Sequence, residues 1–120
     1  MTYLLIFLGG GIGSTARFAI SFFANKPDGG FPFGTLAVNL VGAFVAGILV
    51  HFLATKFANL QNLRYFLLTG FLGGFTTFSA FSLESAAMLA RGDYAMVAIY
   101  VVVSVLGGIA LATIPSILFF

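Results

Sequence analysis

Four long apolar stretches alternate with three short polar connections along the chain. The apolar stretches cover residues 3–24, 31–55, 63–90 and 94–119. A helix that crosses the hydrocarbon core of a bilayer needs about 20 such residues. Because backbone polar groups in lipid must be satisfied within the segment, the stretches predict helices. The pattern therefore predicts an all-α integral membrane protein, a single four-helix domain that crosses the cell (inner) membrane repeatedly.

Composition supports the same class and excludes several others. Hydrophobic residues make up 61 % of the 120 residues and charged residues only 7 %, whereas a soluble domain carries about 25 % charge. The chain has no cysteine and one histidine, His51, which leaves neither a thiolate nucleophile, a catalytic triad nor a Cys or His metal cluster. No two of the five Lys and Arg are adjacent. We therefore expect neither an enzyme nor a nucleic-acid-binding protein.

The basic residues give no clear instruction about orientation in the membrane. Lys26 and Arg91 lie in the first and third connections, and Lys56 and Arg64 lie at the second, on the opposite side. Since orientation follows the bias of Lys and Arg between the two sides, a two-to-two distribution predicts insertion both ways and an antiparallel, dual-topology homodimer. The alternative is a single orientation decided by Arg17, which lies inside the first helix.

Pairs of small residues four positions apart occur in every predicted helix. Such pairs let helix backbones approach closely, within one subunit or between two. The pairs are Gly9 with Gly13, Gly10 with Ser14, Gly42 with Ala46, Ala43 with Gly47, Gly70 with Gly74, and Gly108 with Ala112.

The third apolar stretch is unusual near its middle. Residues 70–82 contain three glycines, two adjacent threonines and two serines. Glycine lowers helix propensity, and Ser and Thr side chains compete for backbone hydrogen bonds. A break near the bilayer midplane would free carbonyls for a cation and N–H groups for an anion. An unbroken helix with packing glycines is the alternative.

Few polar side chains lie inside the predicted helices, and two phenylalanines there have a notable spacing. Phe78 and Phe81 are three positions apart and share a helix face, where their positive ring edges suit a small anion; core or lipid-facing rings are the alternative. Asn39 has two amide donors that serve either an anion or an interhelical bond. Glu84 is the one acid within a predicted helix, and such acids indicate function unless they are paired, here with Arg17 or a backbone group.

Tyr100 and Ser104 are four positions apart on the fourth helix. Their hydroxyls either extend a polar track with Thr77 or Ser79 or are satisfied locally.

Three motifs, taken in order, resemble the Fluc (CrcB) family of small fluoride channels. They are residues 9–18 (GGGIGSTARF), 33–42 (FGTLAVNLVG) and 70–81 (GFLGGFTTFSAF). The resemblance extends over the whole chain, through its length and its four spans. It implies an antiparallel homodimer with two pores that conduct fluoride passively and export it from the cytoplasm.

The resemblance also implies roles for particular residues. Gly73 and Thr76 of both subunits would hold a structural Na⁺ at the dimer centre through their backbone carbonyls. Asn39 would donate to fluoride, and Arg17 and Glu84 would have vestibule or support roles. The remaining pore residues would be Phe78, Phe81, Thr77, Ser79, Tyr100 and Ser104.

Two other functions fit a small four-helix membrane protein. A small multidrug-type proton-coupled antiporter carries an embedded acid in its first helix, whereas the first helix here has Arg17 and no acid. A scaffold without transport needs no polar residues at mid-membrane, and Asn39, Thr76 and Thr77 argue against it.

Overall fold

The computed structural model describes residues 1–56 and 58–119, and this part of the chain contains helices and no strands. The helices, as labelled below, are α1 (Thr2–Ala24), α2 (Phe33–Thr55), α3 (residues 61–75), α4 (Phe78–Ala90) and α5 (Tyr94–Leu118). Helices α3 and α4 together form one span, Gln61–Ala90. This span, α1, α2 and α5 are each long and apolar enough to cross a membrane, so the protein is a multi-pass membrane protein.

Helices α3 and α5 each contain a stretch of π-helix. In α3 the stretch is Tyr65–Leu72, between Gln61–Arg64 and Gly73–Phe75. In α5 it is Val103–Gly107. Stretches of π-helix are rare in proteins, and those that do occur often lie at functional sites.

Helix α1 packs closely along α3 because glycines line the contact. A Cβ atom at Gly9 would collide with the carbonyl oxygen of Phe66, and one at Gly13 would collide with that of Phe71. From the other side, Gly74 meets the backbone of Gly10. The predicted small-residue pairs of these two helices therefore serve packing within one chain.

Helix α2 occupies the centre of the bundle. Val38 of α2 is buried with Leu72 and Phe75 of α3, and Gly47 lies against the backbone of Ala112 in α5. The N-terminal part of α5 packs against α4. Phe78 remains 79 % exposed, which places an aromatic ring of the unusual segment on an open surface.

The third span is broken, as predicted, near the middle of its 30 residues. Thr76 (φ −83°, ψ 156°) and Thr77 (φ −150°, ψ 123°) are both extended. The Thr76 N–H and hydroxyl both donate to the Leu72 carbonyl, at 3.0 and 2.8 Å. The Thr77 hydroxyl then accepts from the Ala80 N–H at 3.1 Å and caps the start of α4. The two threonines thus end one helix and begin the next.

Candidate functional site

The break removes hydrogen-bond partners of the backbone, and the side chain of Asn39 takes their place at Thr77. Its amide nitrogen donates to the Thr77 carbonyl at 3.0 Å, and its amide oxygen accepts from the Thr77 N–H at 2.8 Å. Asn39 therefore makes the predicted interhelical bond. One of its two amide hydrogens remains for a further acceptor, so its role as an anion donor stays a prediction.

The break frees the carbonyl groups of Gly73 and Thr76 from their usual helical partners. The Thr77 N–H, four positions after Gly73, donates to Asn39 instead. The Ala80 N–H, four positions after Thr76, donates to the Thr77 hydroxyl. Unwound carbonyls at membrane depth coordinate Na⁺ in other folds. These two are the carbonyls that the family resemblance implies as sodium ligands, and that role stays a prediction.

Arg17 binds the same break from α1. Its Nε donates to the Gly74 carbonyl at 3.0 Å, which satisfies another C-terminal carbonyl of α3. This contact fits a support role, and it excludes the alternative in which Arg17 pairs with Glu84.

A groove with a volume of about 600 Å³ runs beside the break. Its walls come from α2, both halves of the third span and the π turn of α5. It brings together seven of the predicted site residues: Asn39, Gly73, Thr76, Thr77, Phe78, Phe81 and Ser104. Most of the remaining wall is apolar or glycine, so the polar groups stand out as isolated donors and acceptors.

The hydroxyl groups at the groove differ in their hydrogen-bond partners. The hydroxyls of Thr77 and Ser79 lie 3.2 Å apart, and one of them donates to the other. The Ser104 hydroxyl is buried and has no hydrogen-bond partner among the described residues. An unsatisfied buried hydroxyl is costly, and the role of Ser104 as a pore donor stays a prediction.

Aromatic rings lead away from the groove toward Glu84, a partly buried acid. The ring centroids of Phe78 and Phe81 are 5.7 Å apart, and those of Phe81 and Tyr100 are 4.9 Å apart. Tyr100 is completely buried, and its hydroxyl donates to Glu84 at 2.6 Å. Tyr100 is therefore bonded to Glu84 and not to Thr77 or Ser79.

Glu84 has a second donor that the sequence reasoning missed. The hydroxyl of Thr35, which is buried, donates to the other carboxyl oxygen at 2.6 Å. Asn25 extends the network, because its amide nitrogen lies 3.3 Å from the Thr35 hydroxyl and its oxygen accepts from the Gly34 N–H. Thr35 precedes Asn39 by four positions and so shares its helix face, which is the signal that could have found it.

A small cavity of about 140 Å³ lies beyond this network, beneath the first and third connections. Its walls include Glu84, Lys26 and Arg91. Arg91 also pairs with Asp93 at 3.0 Å. The network therefore separates a groove with few charges from a polar cavity that has two cations in its walls.

The bonds to Glu84 make a testable contribution to stability. We expect Tyr100→Phe and Thr35→Val each to lower the free energy of unfolding by about 1–3 kcal/mol, since each leaves a carboxyl oxygen without its donor. Thermal unfolding in detergent measures this loss. The exposed Tyr94→Phe is the matched control and should unfold like the wild type. Equal stability of Tyr100→Phe and Tyr94→Phe would contradict the network.

Comparison with known proteins identifies the family. The sequence model of a family described as "CrcB-like protein, Camphor Resistance (CrcB)" matches residues 4–115. The chain belongs to the CrcB-like family.

Three relatives illustrate how close the similarity is within that family. The first, "Fluoride-specific ion channel FluC 2" of Nitrobacter hamburgensis, is 44 % identical over 106 residues, 88 % of this chain and 86 % of the relative.

Two further relatives carry the name "Fluoride-specific ion channel FluC". The protein of Rhizobium etli is 46 % identical over 113 residues, covering 93 % of this chain and 89 % of its own. The protein of Hydrogenobaculum sp. is 42 % identical over 102 residues, covering 85 % of this chain and 84 % of its own. The similarity of this CrcB-like chain thus extends through all four spans and includes the break.

Proposed function

We propose that this CrcB-like protein is a passive, fluoride-selective ion channel that exports fluoride from the cytoplasm across the inner membrane. The observation that carries the proposal is the groove in which Asn39, Ser104 and the edge-bearing rings of Phe78 and Phe81 converge. The names of the relatives support fluoride as the ion.

The chemistry of the groove suits a small, strongly hydrated anion. A narrow dry path must replace water with hydrogen-bond donors, and conduction requires binding that is neither too weak nor too strong. Amide and hydroxyl donors at Asn39 and Ser104 supply directed bonds, and the ring edges at Phe78 and Phe81 supply a weaker attraction. No Lys or Arg lines the groove among the described residues, so no cationic side chain traps the ion there.

The proposed fluoride path continues from the groove past the hydroxyls around Glu84 toward the first and third connections. Beyond the Phe81 ring lie Tyr100 and Thr35, and beyond them lies the small cavity with Lys26 and Arg91 in its walls. A cation such as Lys26 at a mouth raises the local anion concentration without holding the ion inside, whereas Arg91 is paired with Asp93. We assign these two residues to one mouth of the pore.

We propose a dual-topology, antiparallel homodimer with two pores. The groove is open in the single chain, and Phe78 in its wall is 79 % exposed. A second copy would close the groove into a pore. The balanced basic residues at the two ends of the bundle are compatible with insertion both ways.

We propose that a structural Na⁺ joins the two broken spans at the dimer centre. The carbonyls of Gly73 and Thr76, freed by the bonds to Asn39 and Thr77, are the oxygen donors that suit a hard cation. When bound, the ion supplies a positive charge between the subunits and satisfies carbonyls that lack helical partners. Among the described residues there is no cluster of three His, Cys, Asp or Glu, so carboxylates do not provide an alternative cation site.

Sodium removal tests this assignment without a flux measurement. We expect the dimer to unfold at a lower temperature when Na⁺ is replaced by N-methyl-D-glucamine, because a cation that binds only the folded dimer stabilises it by mass action. Na⁺ should restore the stability in a saturable titration, and K⁺ at equal concentration should not. Identical unfolding in all three solutions would contradict a sodium site.

Fluoride efflux from liposomes tests the function itself. Purified protein is reconstituted, the potential is collapsed with valinomycin, and a fluoride electrode follows release beside a chloride-loaded control. We expect fast fluoride release and no chloride release. No fluoride release from protein that is demonstrably folded and dimeric would overturn the proposal.

The relatives do not support the proton-coupled antiporter. They are named fluoride-specific ion channels, and α1 carries Arg17 and no acid. The one acid within the spans, Glu84, accepts two short hydroxyl bonds.

A further inference from the structure

A second polar cavity lies at the opposite end of the bundle from Lys26 and Arg91. It has a volume of about 470 Å³ and lies between the end of α2 and the start of α3. Its polar lining comes from Gln61, Arg64, Tyr65 and Thr69, and its apolar lining includes Leu53, Leu60 and Leu68. Of these residues only Leu68 also lines the groove of the proposed fluoride path, and none belongs to the proposed sodium site.

The polar groups of this cavity are arranged to donate. Gln61 donates its amide to the Tyr65 hydroxyl at 2.9 Å, which leaves the hydroxyl hydrogen of Tyr65 for another acceptor. The hydroxyls of Thr15, Thr55, Thr76 and Thr113 donate to the carbonyl four residues before them. Among the described residues Thr69 has no such bond, so its hydroxyl is also available.

The electrostatics of this end favour an anion. Acidic residues occur only at Asp28, Glu84 and Asp93, so none lies between residues 29 and 83. Arg64 forms no ion pair with the described residues, since the one pair there joins Arg91 to Asp93. A guanidinium with five N–H donors and no acid nearby suits a phosphate.

The position of the cavity favours a lipid headgroup over a free ion as its ligand. The cavity lies where two spans meet their polar connection, at the level of lipid headgroups, and a leucine wall adjoins its donors. Basic pockets between membrane helices bind anionic headgroups in this way. We propose that this cavity binds the phosphodiester headgroup of an anionic phospholipid, with Arg64 as the main contact and the leucines beside the first part of the acyl chains.

Lipid retention in native mass spectrometry tests the proposal on the purified, full-length protein. Dioleoyl phosphatidylglycerol and dioleoyl phosphatidylcholine are compared. We expect the wild type to retain phosphatidylglycerol preferentially, and Arg64→Gln to bind it about fivefold more weakly with its phosphatidylcholine binding unchanged. Arg64→Lys should recover part of the loss, because it restores the charge without the planar fork.

Lys56→Gln is the matched control, because Lys56 lies near the same connection but outside the cavity lining. Its ammonium lies 5.2 Å from the centre of the Phe52 ring. We expect this variant to retain phosphatidylglycerol like the wild type. An equal loss in Lys56→Gln and Arg64→Gln would overturn the proposal in favour of diffuse charge attraction.

Two further outcomes would also overturn the proposal. Displacement of the lipid by millimolar glycerol phosphate would indicate a site for soluble phosphate. A loss of dimer mass in Arg64→Gln with lipid retention unchanged would indicate a surface that contacts the second copy. Retention is measured without fluoride, so its failure is independent of the channel proposal.

Discussion

Replacing Asn39 with alanine should reduce fluoride efflux from liposomes by about tenfold to a hundredfold. A hydrogen bond to a charged group contributes about 1.5–3 kcal/mol, and each 1.36 kcal/mol of barrier is a factor of ten in rate. The substitution removes the proposed donor to the ion. It also removes both bonds to the Thr77 backbone, so we expect a lower unfolding temperature as well.

Asn39→Asp distinguishes the loss of the donor to the ion from the loss of the bond that the Thr77 N–H makes. A carboxylate of the same shape still accepts from the Thr77 N–H but has no N–H to donate, and its negative charge repels an anion. We therefore expect efflux at least as low as in Asn39→Ala, measured on the fraction that remains a folded dimer. Asn62→Ala, outside the groove, is the control and should conduct like the wild type. Wild-type efflux from folded Asn39→Asp would refute the role of the amide as donor.

Replacing Phe78 with isoleucine should reduce fluoride efflux by about twofold to tenfold. Isoleucine has a similar apolar character but lacks the positive ring edge, whose contacts contribute about 0.5–1.5 kcal/mol. Phe78 is exposed on the groove and makes its ring contact with Phe81. We therefore expect folding and dimer mass to remain unchanged while the flux decreases.

Phe7→Ile is the matched control for this prediction. Phe7 lies in α1, is 75 % exposed, close to the 79 % of Phe78, and does not line the groove. Its substitution should leave fluoride efflux unchanged in the same assay. If Phe78→Ile and Phe7→Ile conduct equally well, Phe78 is a lipid-facing ring and not part of the path.

The helical spans could be predicted because the bilayer imposes a simple requirement of length and apolarity on each of them. The break was predictable in position, since glycines and hydroxyl side chains concentrate in residues 70–82. Its actual form was not. Whether Thr76 and Thr77 leave the helix depends on partners for their freed backbone groups, and Asn39, the partner of Thr77, lies 38 residues earlier.

Long-range partners explain the other gaps between sequence and structure. Arg17 bonds to a carbonyl 57 residues away, and Thr35 to a carboxyl group 49 residues away. Composition places such groups within a helix, but only helix packing decides which of them meet. For this reason the polar candidates could be named from the sequence, whereas the pairing of Glu84 with Tyr100 and Thr35, rather than with Arg17, could not.

The π-helical stretches had no sequence signal. Tyr65–Leu72 and Val103–Gly107 have the apolar composition of ordinary membrane helix. Their wider turns arise where helices must fit around neighbours, and one of them contains Ser104, whose hydroxyl is left without a partner. The family resemblance implies Ser104 as a pore residue, but only the packed structure shows that its hydroxyl lacks a partner.

The reversal potential of the reconstituted protein in a planar bilayer tests the central claim most directly. With a tenfold fluoride gradient and equal chloride, sodium and pH on both sides, a fluoride-selective channel reverses its current about 59 mV from zero, at the equilibrium potential of a monovalent ion. We expect that value, and no shift when a chloride gradient is imposed in its place. A reversal near zero in the fluoride gradient, or fluoride movement without current, would contradict passive fluoride conduction.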